Sequence, residues 1–118
     1  EESRAILANS IIDLKVQNKE GQEIGKIEDI VLDMESGRIG YAVMSSAGFL
    51  AGDERLFAVP IQSMVLDLTR NRFLLDADKE RLENAPGFDR NNWPSMGDRR
   101  WGAKIHAYFG QRPYWEKE

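Results

Sequence analysis

The chain has 118 residues, 42% of them hydrophobic, a formal net charge of −4 and a pI near 5.1. That length suits one domain burying roughly two thirds of its unfolded surface, and the acidic balance argues against nonspecific nucleic-acid binding, because phosphates attract basic faces. With no cysteine, disulfides and thiolate chemistry are excluded, and no apolar run approaches the ~20 residues of a membrane-spanning helix.

Residues 1–8 read as a poorly ordered entry. Because residue 1 is Glu1, a leader or anchor trimmed from this end is one expectation. Ile11-Ile12-Asp13-Leu14-Lys15-Val16 alternates well enough for a first strand, and Asn18-Lys19-Glu20-Gly21 turns it into a second. In that second run, Ile24, Ile27, Ile30 and Leu32 do not keep one parity, so a regular strand would throw some of them into water. A bulge near Glu28-Asp29 repairs this and bends the strand as a small barrel needs. Spacings of three and four also admit a helix here, but β-branched residues and flanking Gly21, Gly25 and Gly37 favour strand.

Glu35-Ser36-Gly37-Arg38 then separates two apolar runs, and Gly37 can take the positive φ of a hairpin turn. On the returning strand Ile39, Tyr41 and Val43 share one face, with Ala42 and Met44 leaving the other weakly apolar. Ala47-Gly48-Phe49-Leu50-Ala51-Gly52 reads as a flexible loop. Leu56-Phe57-Ala58-Val59 is a fourth strand, ended by Pro60, which lacks an amide donor. Met64, Leu66 and Leu68 share a face of a fifth, and Phe73-Leu74-Leu75 makes a sixth. Six short strands with short turns predict a mainly β fold, a closed or nearly closed barrel without exposed edges.

Asp78 is placed to cap a short helix through Glu83, stopped by Pro86-Gly87. Asp98 is a second cap, preceding a helix in which Trp101, Ile105 and Tyr108 lie on one face; Gly110 and Pro113 end it. Residues 1–87 carry 10 basic and 16 acidic side chains, and residues 88–118 carry 6 and 4 together with seven of the eleven aromatics. This shift divides the chain into a barrel at 9–87 and a C-terminal extension at 88–118 whose helix packs on it.

Motifs that would carry chemistry fall short of their requirements. Gly21 to Ile27 is one residue short of a phosphate-binding loop and has Ile27 where a magnesium-binding hydroxyl belongs. Asp76-Ala77-Asp78-Lys79-Glu80 and Asp89-Arg90-Asn91 start like calcium loops, but Arg81 and Pro94 occupy the sixth, glycine position and neither loop supplies the terminal glutamate. The sole histidine, His106, has no neighbouring ligand set for a metal and is expected at a partly exposed or core-edge position. Ser45 or Ser46 with His106 would make a nucleophile and base, without any nucleophile-elbow pattern. Glu28, Asp29 and Asp33 are expected as solvent-facing charge. The chain therefore reads as a non-enzyme, with no catalytic residue, cofactor or metal assigned.

The order EIGKIEDIVLDMESGRIGYAVMSSAGFL, then RLFAVP, then DADKERLENAPGF resembles the PRC-barrel family, named for the cytoplasmic domain of the photosynthetic reaction centre H subunit. The resemblance covers roughly Asn9 to Phe88, and NNWPSMGDRRWGAKIHAYFG is similar to an extension of some bacterial stand-alone members. It implies a small six-stranded barrel of the SH3-like type, used as an interaction module and without conserved catalytic residues. Ile61 stands where relatives often carry an aromatic.

On this reading Trp93, Trp101, Ile105 and Tyr108 pack on the barrel, while Phe49, Leu50, Arg112, Tyr114 and Trp115 remain available to a protein partner or a second copy, as aromatics beside arginine are frequent interface anchors. Two function classes follow. The first is a cytoplasmic module that docks on a protein assembly, with self-association and a membrane surface reached through the partner both open. The second is a redox accessory subunit resembling the reaction-centre H domain, supporting proton or electron transfer in a membrane complex, with the carboxylates Glu28, Asp29 and Asp33 as its candidates.

Overall fold

The computed structural model describes residues 5–46 and 48–116. The first four residues of the expected entry and Ala47 of the expected loop lie outside them. Strands β1 (Lys15–Gln17), β2 (Glu23–Asp33), β3 (Arg38–Ser45), β4 (Leu56–Pro60), β5 (Met64–Asp67) and β6 (Arg72–Leu75) precede helices α1 (Lys79–Glu83) and α2 (Arg99–Tyr108). The strands form one sheet in the order β4-β3-β2-β1-β6-β5, with β1 and β6 parallel and every other pair antiparallel.

The sheet curls into a half-barrel, the mainly β, six-stranded architecture expected of a PRC-barrel. Among the described residues no ladder joins β4 to β5, so the ring stops short of closure. Pro60 ends β4, and a 3-10 turn at Ile61–Ser63 carries the chain across the gap. Proline without an amide donor suits that edge.

Local chemistry accounts for the long β2–β3 hairpin. Gly37 takes φ +77° in its turn, and the Asp33 carboxylate accepts from the Ser36 hydroxyl at 2.7 Å and the Glu35 amide at 3.3 Å. Ile27 pairs with Met44 and Asp29 with Val43, which leaves Glu28 as the extra residue of a bulge. Two further irregularities leave Ile24 unpaired against β1 and Gly40 unpaired against β2. The bulges turn Ile24 and Ile27 both inward despite their opposite parity.

The first strand is shorter than its alternation predicts. Residues Ala8–Ile11 form a 3-10 turn, and Asp13 at φ +73° interrupts the extended chain so that only Lys15–Gln17 joins the sheet. At the other end of β1, Asn18 is buried with all its polar groups used. Its amide donates to Gln22 Oε1 at 2.8 Å and the Ala77 carbonyl at 3.2 Å, and its Oδ1 accepts from the Glu20 and Gln22 amides. One side chain thus shapes the β1–β2 turn and pins it to the chain beyond β6.

The main core fills the inside of the curl with Val16, Ile24, Ile27, Met44, Phe57, Val59, Phe73 and Leu75, closed by Leu82 of α1. Full burial of side chains of this size contributes about 1.5–3 kcal/mol each. A second core, Tyr41, Ala58 and Ile105 with Trp101, Phe109 and Tyr114 against them, lies on the outer face of β3 and β4. Those two strands are therefore buried on both faces, and the Ala42 and Met44 side of β3, which reads as the weaker apolar face, is the one that meets the main core.

Candidate functional site

Helix α2 begins where Asp98 accepts from the Arg100 amide at 2.9 Å, as α1 begins where Asp78 accepts from the Arg81 amide at 2.8 Å. Both caps occur where the sequence places them. Gly110, at φ +71°, lets the chain leave α2 and return across the barrel as a strap through Gln111 to Glu116.

The strap and α2 enclose an aromatic cage on the outer face of β3. His106 lies at its centre, with ring centroids 5.4 Å from Tyr41, 5.7 Å from Tyr114 and 5.5 Å from Trp115. Tyr41 in turn meets Trp101 edge-on at 5.2 Å and Tyr114 at 5.9 Å. Two glycines admit this approach. A Cβ on Gly40 would lie 2.9 Å from the Tyr114 ring, and one on Gly102 would lie 2.8 Å from the Trp115 ring.

His106 is 0% exposed, not at a core edge as its isolation in the sequence suggests. Its Nδ1 lies 2.7 Å from the Gly102 carbonyl. A carbonyl can only accept, so Nδ1 carries the proton and Nε2 is the bare nitrogen of the neutral ring. Nε2 is buried without a hydrogen-bond partner, and so is the Tyr41 hydroxyl. Burial holds the His106 pKa below the ordinary imidazole value, against the opposing pull of the Gly102 carbonyl and of Glu116. Burial also raises the Tyr41 phenol well above its ordinary range, with Tyr114 adding to the effect.

No serine reaches this imidazole among the described contacts. The Ser46 hydroxyl instead donates to the Asp53 carbonyl at 3.4 Å. Among the described residues no group of three or more acidic or histidine side chains is gathered as a metal site. Of the three carboxylates read as surface charge, Asp29 is exposed and accepts from the Ile30 amide at 2.8 Å. Glu28 pairs with Arg90 at 3.5 Å, and Asp33 belongs to the hairpin turn.

Beside the cage, the β2–β3 turn and the strap form the walls of an open groove of about 1200 Å³. Arg38, Arg99 and Arg112 line it together with Ile39, Tyr114 and Trp115, and Asp33, Glu35 and Glu116 add carboxylates. Arg38 donates to the Tyr114 carbonyl at 2.8 Å, and Arg99 stands 5.4 Å from the centre of the Trp115 ring. Met34, at the tip of the same hairpin, is 84% exposed.

The residues expected at an accessible surface separate into two places. Leu50 is only 3% exposed and belongs to the main core, with Phe49 half-buried against it. The loop that reads as flexible turns its two large apolar side chains toward the main core, because their burial removes apolar surface from water. Arg112 is exposed at the groove, whereas Tyr114 and Trp115 are half-buried, one side in the cage and one side on the groove. Trp93, expected on the barrel, is 42% exposed, its ring tilted against Phe88 at 5.1 Å and its Nε1 donating to the Arg90 carbonyl. In the sequence Glu35-Ser36-Gly37-Arg38 reads as a turn only, and Arg38, Arg99 and Met34 are given no functional role. The one signal for them is Met34, an apolar residue next to a polar turn.

The family model of the PRC-barrel domain matches residues 4–82. The chain is similar at 19% identity, with a TM-score of 0.46, to the solved structure of RimM from Pseudomonas aeruginosa, a protein assigned to 16S ribosomal RNA processing. That match covers 67% of this chain and 48% of RimM, so the chain spans about half the length of the other protein. No curated protein matches the chain.

Proposed function

The chain belongs to the PRC-barrel domain family, and on that premise we propose that it is a non-enzymatic interaction module whose docking surface is the groove between the β2–β3 turn and the C-terminal strap. In this reading residues 9–87 form the docking body and residues 88–118 the extension that completes the surface. The observation that carries it is the gathering of Arg38, Arg99, Arg112, Tyr114 and Trp115 along one open groove, with the exposed Met34 standing in the chain between two of its lining residues, Asp33 and Glu35. Arginine, methionine and the large aromatics are the types that concentrate binding energy at protein interfaces.

The partner is a protein, met in the cytoplasm, and any attachment to a membrane comes through that partner. Among the described residues no helix is long and apolar enough to cross a membrane. The test is affinity purification from the native host with the full chain, its Met34→Asp variant and its Arg99→Ala variant, alongside sedimentation of each. Loss of the same partner, or of self-association, in both variants is the expected result. Unchanged partner binding and self-association constants in both would reject the groove as the docking surface.

A further inference from the structure

The strap that walls the groove also seals a buried histidine, and this couples two features that the docking reading leaves separate. We propose that residues 111–116 form a pH-sensitive latch, docked on the outer face of β3 while His106 is neutral and released when His106 takes a proton. The inference does not depend on what the groove binds, although release would remove one of its walls.

The argument begins with the hydrogen bonds of one ring. Nδ1–H already donates to the Gly102 carbonyl, and protonation adds a second N–H at Nε2, which has no acceptor in place. A charged imidazolium with one unmade bond is costly in a buried aromatic cage. Among the described residues, the groups shown to act on it come from β3, α2 and the strap. From β3 comes Tyr41, whose buried hydroxyl is itself unpartnered among the described residues; from α2 comes the Gly102 carbonyl; Ala58 of β4, which has no polar side chain, and Trp101 pack against Tyr41. From the strap come Tyr114, Trp115 and Glu116, and Glu116 is the one carboxylate that favours the charged ring. Arg99 stands on the far side of Trp115, and Asp33 and Glu35 act on Tyr114 rather than on the imidazole.

The strap is the wall that belongs neither to the sheet nor to α2, so it can leave with both intact. Its hydrogen bonds to its neighbours include two exposed ones, from Arg38 to the Tyr114 carbonyl at 2.8 Å and from Gln62 to the Arg112 carbonyl at 3.3 Å, and one from the Gln111 amide to the His106 carbonyl at 2.8 Å, where the strap leaves α2. Lifting Tyr114 and Trp115 would give Nε2–H water at once. The sign follows from the direction of the shift. A histidine pKa lowered by docking means that the released state binds the proton more readily. Docking is therefore supported in full above the ordinary imidazole value of 6.5 and loses support as pH falls below it.

The test is a pH titration from 7.5 to about 5 of the full chain by NMR, following the His106 ring, the amide of Gly40 beneath Tyr114, and the amides of residues 111–116. The expected result is one shared transition below 6.5, with the signals of Ile24 and Phe73 in the main core unmoved. His106→Gln, which can keep a donor toward Gly102 but cannot take the proton, should abolish the transition. Glu116→Gln should move release of the strap to higher pH, because it removes the carboxylate that eases the charged ring while the strap is docked, and this variant serves if His106→Gln fails to fold. A strap that stays docked to pH 5 in the wild type, a transition that persists in His106→Gln, or a midpoint indifferent to Glu116→Gln would overturn the latch.

Discussion

Gly102 stands so close to Tyr41 that a Cβ on it would lie 2.5 Å from the tyrosine hydroxyl. The same Cβ would lie 2.8 Å from Cη2 of Trp115, so a single hydrogen in place of a methyl lets helix, sheet and strap meet at one point. Gly102 is interior to α2, where glycine costs about 1 kcal/mol relative to alanine. That cost is the helix's share of the contact. Tyr41 is locked in a strand buried on both faces, so Trp115 is the group able to yield.

Gly102→Ala should accordingly displace the strap rather than the barrel. The helix gains about 1 kcal/mol in propensity and the contact loses about 1–3 kcal/mol by overpacking. The expected outcome is a small net loss of stability together with faster hydrogen exchange at residues 111–116 at neutral pH. Exchange of the strap unchanged from wild type would show that Trp115 does not bear on Gly102.

Gly25→Ala should be far more damaging. A Cβ there would lie 2.2 Å from the Ser45 carbonyl oxygen and 2.4 Å from Cε of Met44, and the first of these is backbone held in the β2–β3 ladder. Overpacking against a fixed carbonyl is expected to exceed the usual range of about 1–3 kcal/mol. Urea unfolding of Gly25→Ala and Gly40→Ala side by side checks this. Gly40 faces a tyrosine ring on the movable strap, and its variant should lose the smaller amount.

Asn18→Ala should cost about 1–3 kcal/mol, because the Glu20 and Gln22 amides and the Ala77 carbonyl would each lose a partner near or inside the fold. Denaturant melts measure the loss. Exchange rates should rise first in residues 18–22 and 76–78, the two segments that this side chain joins. A loss confined to one segment would contradict the bridging role.

Arg55 holds Asp53 through a two-pronged pair at 3.1 and 2.8 Å and reaches the Ala85 and Glu83 carbonyls, tying the loop before β4 to the chain after α1. The hydrogen bond from Arg55 keeps the Asp53 carboxyl below its ordinary value of 3.8. A lowered pKa means the folded state holds the charged form, so this contribution is present above the unfolded value and lost as pH falls through the folded one. Arg55→Lys cannot reproduce the fork. It should lower stability at pH 7 by about 1 kcal/mol, a modest figure because the pair is partly solvated, with the difference from wild type shrinking below pH 3.8. Thermal melts at pH 7 and pH 3 make the comparison, and a difference independent of pH would assign the effect to Phe57, over which the guanidinium lies at 5.0 Å.

Features set by a few neighbouring residues were legible in the chain alone. Gly37 in its turn and the caps Asp78 and Asp98 follow from backbone dihedrals and hydrogen bonds that close within a handful of positions, and the bulge at Glu28 and the succession of six strands along the chain show in the local apolar pattern. What lay beyond reach was decided by residues far apart in sequence. The parallel pairing of Val16 with Phe73 joins two distant stretches of the chain, and Leu50 packs into the core that this sheet encloses. The return of the strap over β3 puts Tyr114 on Gly40 and shuts His106 away from water. Hydrophobic burial has no direction of its own, so a half-apolar loop or an aromatic tail reads the same whether it faces solvent or core. Only the assembled sheet determines which surface is left to cover.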